Sequence, residues 1–335
     1  PVIKPALPRI NNQVSDFIPV ARIADMLLKP GEYYDYDGEQ RTYPDIKMVY
    51  WCGGNPFHHH QDLNRLVEAW QQPDTIIIHE PWWNSNARHA DIVLPIATTF
   101  ERNDIAGGRA DGFLFAMQKS IEVVGQSKTD YEIFSLLADQ LGFKAEFTEG
   151  RTEKQWLEHL HQRFQQAASE VVDGVPSFEE FWSKGFYALP DLEGESFLGS
   201  FRKDPSANPL ATPSGKIEIF SSTIDKFSYE DCPGHPTWME PCEWLGAESV
   251  KKYPLHLITN QPKTRLHSQY DNGGYSLENK IREREPVSIN PKDAVARSIS
   301  DGDIVRLFND RGACLAGVIV TEDVMPGVVQ LSTGA

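Results

Sequence analysis

Apolar runs and helix-period segments alternate from about Lys47 to Pro95. Lys47-Met-Val-Tyr-Trp51 is a short β-rich run, broken by Gly53-Gly54-Asn55-Pro56. Over Asp62–Trp70 the apolar residues Leu63, Leu66, Val67 and Trp70 fall on one helical face, and Pro73 ends the segment. Thr75-Ile-Ile-Ile78 and Ala90-Asp-Ile-Val-Leu-Pro95 read as further strands. Near-continuous apolar strands alternating with helices predict a parallel sheet covered on both faces. A helix is expected over Asp130–Leu141, capped by Thr129 or Asp130 and closed by Gly142, and another from Thr152 to about Ser169. Ser177-Phe-Glu-Glu180 has the form of a capping box.

The last 85 or so residues change character. Leu255–Thr259, Val287–Ile289, Asp303–Phe308, Cys314–Val320 and Val328–Leu331 are short β runs. Turn signals at Ser300-Asp-Gly302, Asn309-Asp310 and Pro326-Gly327 separate them, which predicts a small β-barrel. Between the two regions, Pro190–Gly215 is rich in Pro, Gly and Ser and reads as a connection.

Composition narrows the picture only a little. The chain has 335 residues, 40% hydrophobic and 24% charged, enough for two domains with sizeable cores. Its formal net charge of −16 argues against a nucleic-acid partner. Four scattered cysteines (Cys52, Cys232, Cys242, Cys314) form no CxxC pair, against a zinc or iron–sulfur site. No apolar run reaches the ~18 residues of a membrane span. The chain begins at Pro1, so a missing targeting segment says nothing of compartment; bacterial periplasm and cytoplasm both stay open.

Candidate chemistry gathers at the strand ends. Gly53-Gly54-Asn55-Pro56 lies between a strand and a helix, where bare backbone and free N–H groups suit an anionic ligand, although such a turn is often only a turn. His79-Glu80 and Arg88-His89-Ala90-Asp91 fall at the same sheet edge; for His89 and Asp91 the alternative is satisfaction of buried backbone groups. His58-His59-His60 cannot all face one ion, because adjacent side chains at a helix start diverge. Glu101-Arg-Asn-Asp104 is either a solvated turn or an ion-paired corner. His267-Ser268-Gln269 is a row of donors and acceptors suited to a flat heterocycle, or a loop satisfying its own backbone. These residues reach a nucleotide-like binding domain followed by a β domain, and no reaction.

Longer motifs carry a resemblance. Trp51-Cys-Gly-Gly-Asn-Pro-Phe57, His59-His-Gln-Asp62, Ala87-Arg-His-Ala-Asp-Ile-Val-Leu-Pro95, Glu101-Arg-Asn-Asp104, Thr212-Pro-Ser-Gly-Lys-Ile-Glu218, Leu266-His-Ser-Gln269 and Ile289-Asn-Pro-Lys-Asp-Ala294 resemble the molybdopterin oxidoreductases of the DMSO reductase family. Within it the likeness is closest to the biotin sulfoxide, trimethylamine N-oxide and dimethyl sulfoxide reductases. The resemblance implies an α/β architecture. A Rossmann-like parallel-sheet domain over residues 1–190, incomplete at its N-terminal side, would bind molybdopterin guanine dinucleotide. A connecting segment over 191–250 would follow. Last would come a double-psi-like β-barrel over 251–335, cut short at its C-terminal side. The implied cofactor is Mo-bis(molybdopterin guanine dinucleotide).

By the same resemblance, Gly54, Asn55, His59, His79, Ser85, Thr99, Arg102, Lys128 and Asp130 fall where one guanine dinucleotide is held. His267, Ser268, Gln269 and Asn290 fall where the barrel meets the pterins. Trp83-Asn-Ser-Asn86 departs from the family's Trp-Thr-Pro-Thr. The serine that ligates molybdenum lies in the family's N-terminal half, so no catalytic residue is assigned here. The implied protein is one part of a reductase of S-oxides or N-oxides, fed by a cytochrome or a thiol/NADPH-linked electron donor. It would be neither membrane-embedded nor a nucleic-acid binder, and this part alone would be inactive. The alternatives are a formate dehydrogenase or nitrate reductase relative, and a dinucleotide-binding module without chemistry.

Overall fold

The computed structural model describes Leu7, Val14 and residues 17–108, 112–170, 172–190 and 196–334; residues 191–195 of the expected connecting segment lie outside the described residues. The chain forms two compact units and passes between them more than once. Tyr50–Gly53 belongs with Thr75–Glu218, whereas Ile18–Val49 and Gly54–Asp74 belong with Ile219–Ala335.

Mostly within the first unit, the strands Met48–Cys52, Thr75–His79 and Ile92–Leu94 form one sheet in that order. The last two run parallel, with Ile77 opposite Ile92 and His79 opposite Leu94. Ile76 and Ile78 are buried on one face, as a β-branched run in a covered sheet should be. Three helices flank it in sequence: Asp130–Gln140, Glu153–Ala168 and Phe178–Lys184. Each starts in a full capping box, Thr129 with Glu132, Thr152 with Gln155 and Ser177 with Glu180. Each such cap contributes about 1 kcal/mol by satisfying N–H groups the helix leaves open.

A second, antiparallel sheet of Asp104–Ala106, Phe113–Met117 and Phe186–Ala188 completes this unit. Leu114 from its central strand packs with Phe164, Ala168, Val172 and Phe181 into one core. The apolar Phe178–Trp182 segment turns toward this core. Phe181 is fully buried, and Phe178 and Trp182 pack against the same core.

The second unit is built on a five-stranded mixed sheet curled as a half-barrel, in the order Ile304–Phe308, Ala313–Val320, Pro286–Ile289, Val328–Leu331, His256–Ile258. Pro286–Ile289 runs parallel to Ala313–Val320 and antiparallel to Val328–Leu331. Alternation puts Val287, Ile289, Val318 and Val329 inside, with Ala316 and Ala294 filling the tighter places. Gly317 is held to that size because a Cβ there would meet Ile281 Cβ at 2.3 Å. A hairpin, Tyr33–Tyr36 with Glu39–Thr42, turns at Asp37-Gly38, where φ is 51° and 77°. Two positive φ values in a two-residue turn match the twist of paired strands.

Candidate cofactor-binding site

In the first unit the strand ends carry a linked set of side chains. His79 closes Thr75–His79, and its ring is fully buried. Its Nδ1 lies 2.6 Å from Asp130 Oδ1 and its Nε2 2.8 Å from the Tyr50 hydroxyl. Asp130 is the first residue of its helix and remains half exposed. Phe134, one turn further on, packs against both the Tyr50 and His79 rings. Burial pushes the Tyr50 phenol and the Cys52 thiol up from their ordinary values. Glu80 is also raised by burial, against the opposing effect of Asn84 and the Trp82 N–H.

The Glu101–Asp104 turn is the ion-paired corner rather than a solvated one. Arg102 pairs with Asp104, and the Asn103 Oδ1 accepts from the Lys119 N–H. Glu101 is buried and accepts from the Thr98 N–H and hydroxyl, both at 2.7 Å, and from the Val124 N–H at 2.6 Å. Those Thr98 bonds, with Val124 behind them, hold its carboxyl below the usual range. Thr99 is exposed beside this corner. Lys128 joins it through the backbone, pairing with Ile96, and its side chain is exposed. Asp91 and His89 take the alternative role: Asp91 Oδ2 accepts from the Ile76 N–H, and His89 Nδ1 lies 2.7 Å from the Ser85 carbonyl. Ser85 opens the short helix Ser85–Arg88 and is half-buried.

Where the chain passes from the first unit to the second, Gly53-Gly54 leads into Asn55 with φ of 78° and 75°, a geometry that favours glycine. No heavy atom lies within 4 Å of a Cβ built on either, so bare backbone faces open space. Asn55 caps the helix Pro56–His59 by accepting from the Phe57 N–H at 3.1 Å. The structure brings His59 and His267 together, ring centroids 4.7 Å apart, although the two are far apart in sequence. Asn290 caps Pro291–Ala296 and donates to the Val324 carbonyl, so most of its amide is spent on the fold.

His267-Ser268-Gln269 sits on a tight turn closed by Gln269 N–H to Leu266 carbonyl. His267 adopts a left-handed backbone at φ 50°. The turn is gripped by Arg265, whose buried guanidinium donates to the His267 carbonyl at 2.8 Å and pairs with Glu285 and Asp271. Among the described residues, the Ser268 hydroxyl and the Gln269 amide make no hydrogen bond.

Taken unit by unit, the residues fit a polar heterocyclic ligand on one physical observation above others. Among the described residues, Asn55 Nδ2 and both amide atoms of Asn86 are buried with no hydrogen-bond partner. A buried amide without a partner costs on the order of 1–3 kcal/mol, so such groups are normally matched by something. Amides are the groups that pair with pterin and guanine edges. Sequence reasoning missed Tyr50, Asn86 and Arg265. Tyr50 and Arg265 gave no signal, since their partners are distant in sequence; Asn86 lay within a quoted motif but only as a departure.

Comparison with known proteins gives the family. Residues 32–140 match the family model described as molybdopterin oxidoreductase, and residues 255–335 that described as molydopterin dinucleotide binding domain. The chain is 48% identical over 332 residues to biotin sulfoxide reductase of Cereibacter sphaeroides, covering 99% of this chain and 44% of that protein. It is 49% identical to the dimethyl sulfoxide/trimethylamine N-oxide reductase of the same organism, covering 95% of this chain and 39% of the relative. Against trimethylamine-N-oxide reductase of Haemophilus influenzae it is 47% identical, again over 95% of this chain and 39% of that one. The chain thus spans less than half the length of these relatives. Acetylene hydratase from Pelobacter acetylenicus shares the fold, with a TM-score of 0.68 at 20% identity over 87% of this chain and 37% of the hydratase. The chain belongs to the molybdopterin oxidoreductases of the DMSO reductase family, whose cofactor is Mo-bis(molybdopterin guanine dinucleotide).

Proposed function

We propose that the chain is the cofactor-holding part of a bacterial molybdenum oxotransferase that reduces S-oxides or N-oxides such as biotin sulfoxide, methionine sulfoxide, dimethyl sulfoxide or trimethylamine N-oxide. The observation that carries this reading is the 48% identity with biotin sulfoxide reductase across 99% of the chain. When bound, the cofactor supplies two-electron oxygen-atom transfer, in which a sulfoxide takes up two electrons and two protons and leaves as sulfide and water.

The chain's own residues bind and orient. The Gly53-Gly54 backbone and the Arg102 and Lys128 cations serve the pyrophosphate, because bare N–H groups and positive charge suit that anion. Asn55, His59, His79, Ser85, Thr99 and Asp130 serve one dinucleotide. His267, Ser268 and Gln269 serve the pterins, with Asn290 contributing what its cap leaves over. We assign the dinucleotide domain to residues 1–190, the connection to 191–250 and a double-psi-like barrel to 251–335. The metal's protein ligand is assigned to the part of the relatives that this chain does not match. Residues 1–335 alone are therefore inactive.

The test compares two proteins from a host that makes the cofactor: the full-length protein and residues 1–335. Reduced viologen dye supplies electrons, and methionine sulfoxide is the acceptor. Turnover with molybdenum only in the full-length protein is expected. Turnover by residues 1–335 alone, or a folded full-length protein without molybdenum, would overturn the reading.

A further inference from the structure

We propose that Tyr50 is a positioning residue: it anchors the ring of His79, whose other nitrogen holds Asp130, and so presents Asp130 to the dinucleotide. This rests on the cofactor-holding reading above. A carboxylate can only accept hydrogen bonds, so the 2.6 Å contact to Asp130 places a proton on His79 Nδ1. In the neutral ring Nε2 is then an acceptor, and the Tyr50 hydroxyl, 2.8 Å away, donates to it. The raised Tyr50 phenol keeps that proton.

The arrangement is held mechanically as well. The His79 side chain has no exposed surface, and Phe134 lies 5.8 Å from the Tyr50 ring and 5.0 Å from the His79 ring, centroid to centroid. Asp130 keeps 51% of its side chain exposed, so Oδ2 stays open while Oδ1 is tied to the ring. A histidine whose second nitrogen is fixed by a partner holds its first in one tautomer and one orientation. Tyr50 supplies that second contact and, among the described residues, makes no hydrogen bond to Asp130 itself.

The test is Tyr50→Phe in the full-length protein. The phenyl ring keeps the packing on Phe134 but leaves the buried His79 Nε2 without its partner, so the melting temperature should fall by only a few degrees. With histidine labelled with nitrogen-15, both proteins should keep the Nδ1–H that faces Asp130, and the Nε2 signal should move in Y50F as the Tyr50 bond is lost. Cofactor loss, followed by guanine nucleotide release, should be about tenfold faster in Y50F, the worth of one hydrogen bond. An Nε2 signal unchanged in Y50F, or a moved signal with unchanged cofactor loss, would overturn the proposal. A wild type that binds no cofactor would instead overturn the cofactor-holding reading, and the Nε2 signal would still report the Tyr50 bond.

Discussion

Gly334 lies directly against the peptide of His267. A Cβ built on it would come within 2.5 Å of the His267 carbonyl carbon and 2.7 Å of the Ser268 nitrogen. Its own φ is 73°, and its carbonyl accepts from the Arg265 guanidinium that also grips His267. Residue 334 thus clamps the turn that carries His267-Ser268-Gln269. Gly334→Ala should push the turn out of place and cost about 1–3 kcal/mol through the positive φ and the clash. Hydrogen exchange should quicken at residues 266–271 and stay unchanged in the first unit. Unaltered exchange at the turn would show that the clamp has no such hold.

Asn55 separates capping from cofactor contact. Its Oδ1 accepts from the Phe57 N–H, while Nδ2 is buried without a partner. Asn55→Asp keeps the cap and removes the donor. Thermal stability of the cofactor-free protein should fall by no more than about 1 kcal/mol. Molybdenum retained after gel filtration should drop several-fold. Full retention would mean that Nδ2 meets no cofactor atom.

Glu101 organises a corner by accepting three hydrogen bonds. Its depressed pKa means the stability it contributes is complete above the ordinary carboxylate value and lost as pH falls through its lower folded value. Glu101→Gln should cost about 2 kcal/mol, since bonds to a charged acceptor are the stronger kind. The loss should shrink toward zero in strong acid. Urea unfolding of both proteins across that range measures it.

His161 makes a second pH effect with its own window. Only 1% exposed, its ring stacks on Phe181 at 4.9 Å, and burial lowers its pKa below the ordinary 6.5, with Glu179 opposing. The unfolded chain therefore binds this proton first, and stability is lost as pH falls below about 6.5. His58 and His60 shift the same way, so the difference between wild type and His161→Phe isolates the effect. Between about pH 7 and 5 the wild type should lose more stability than the variant. Parallel curves would rule out a neutral buried His161.

Most of the frame was legible in the chain because local chemistry dictated it. Thr75-Ile-Ile-Ile78 could only be a covered strand, and the caps at Thr129 and Ser177 work within three residues. The five C-terminal strands fall where their turns predicted, within a residue or so. The antiparallel sheet was legible only in part: Asp104–Ala106 pairs locally with Phe113–Met117, but Phe186–Ala188 lies about seventy residues on, and pairing across such a distance leaves no local mark. The Asp37-Gly38 hairpin did carry a signal, two turn residues between tyrosine-bearing strands. For the site, the sequence named the residues at the strand ends but not their internal partners. Tyr50 looked like any aromatic in a strand, and Arg265 like any surface cation, until the fold buried them against His79 and Glu285.

The central claim is that this chain holds a molybdenum guanine-dinucleotide cofactor. Its most direct measurement is the molybdenum and guanine nucleotide content of the full-length protein, purified from a host that makes the cofactor and opened by acid hydrolysis. The account predicts that both are present and that both fall together when Asn55 is changed to Asp. A folded protein that carries neither, or whose molybdenum comes without guanine nucleotide, would contradict it.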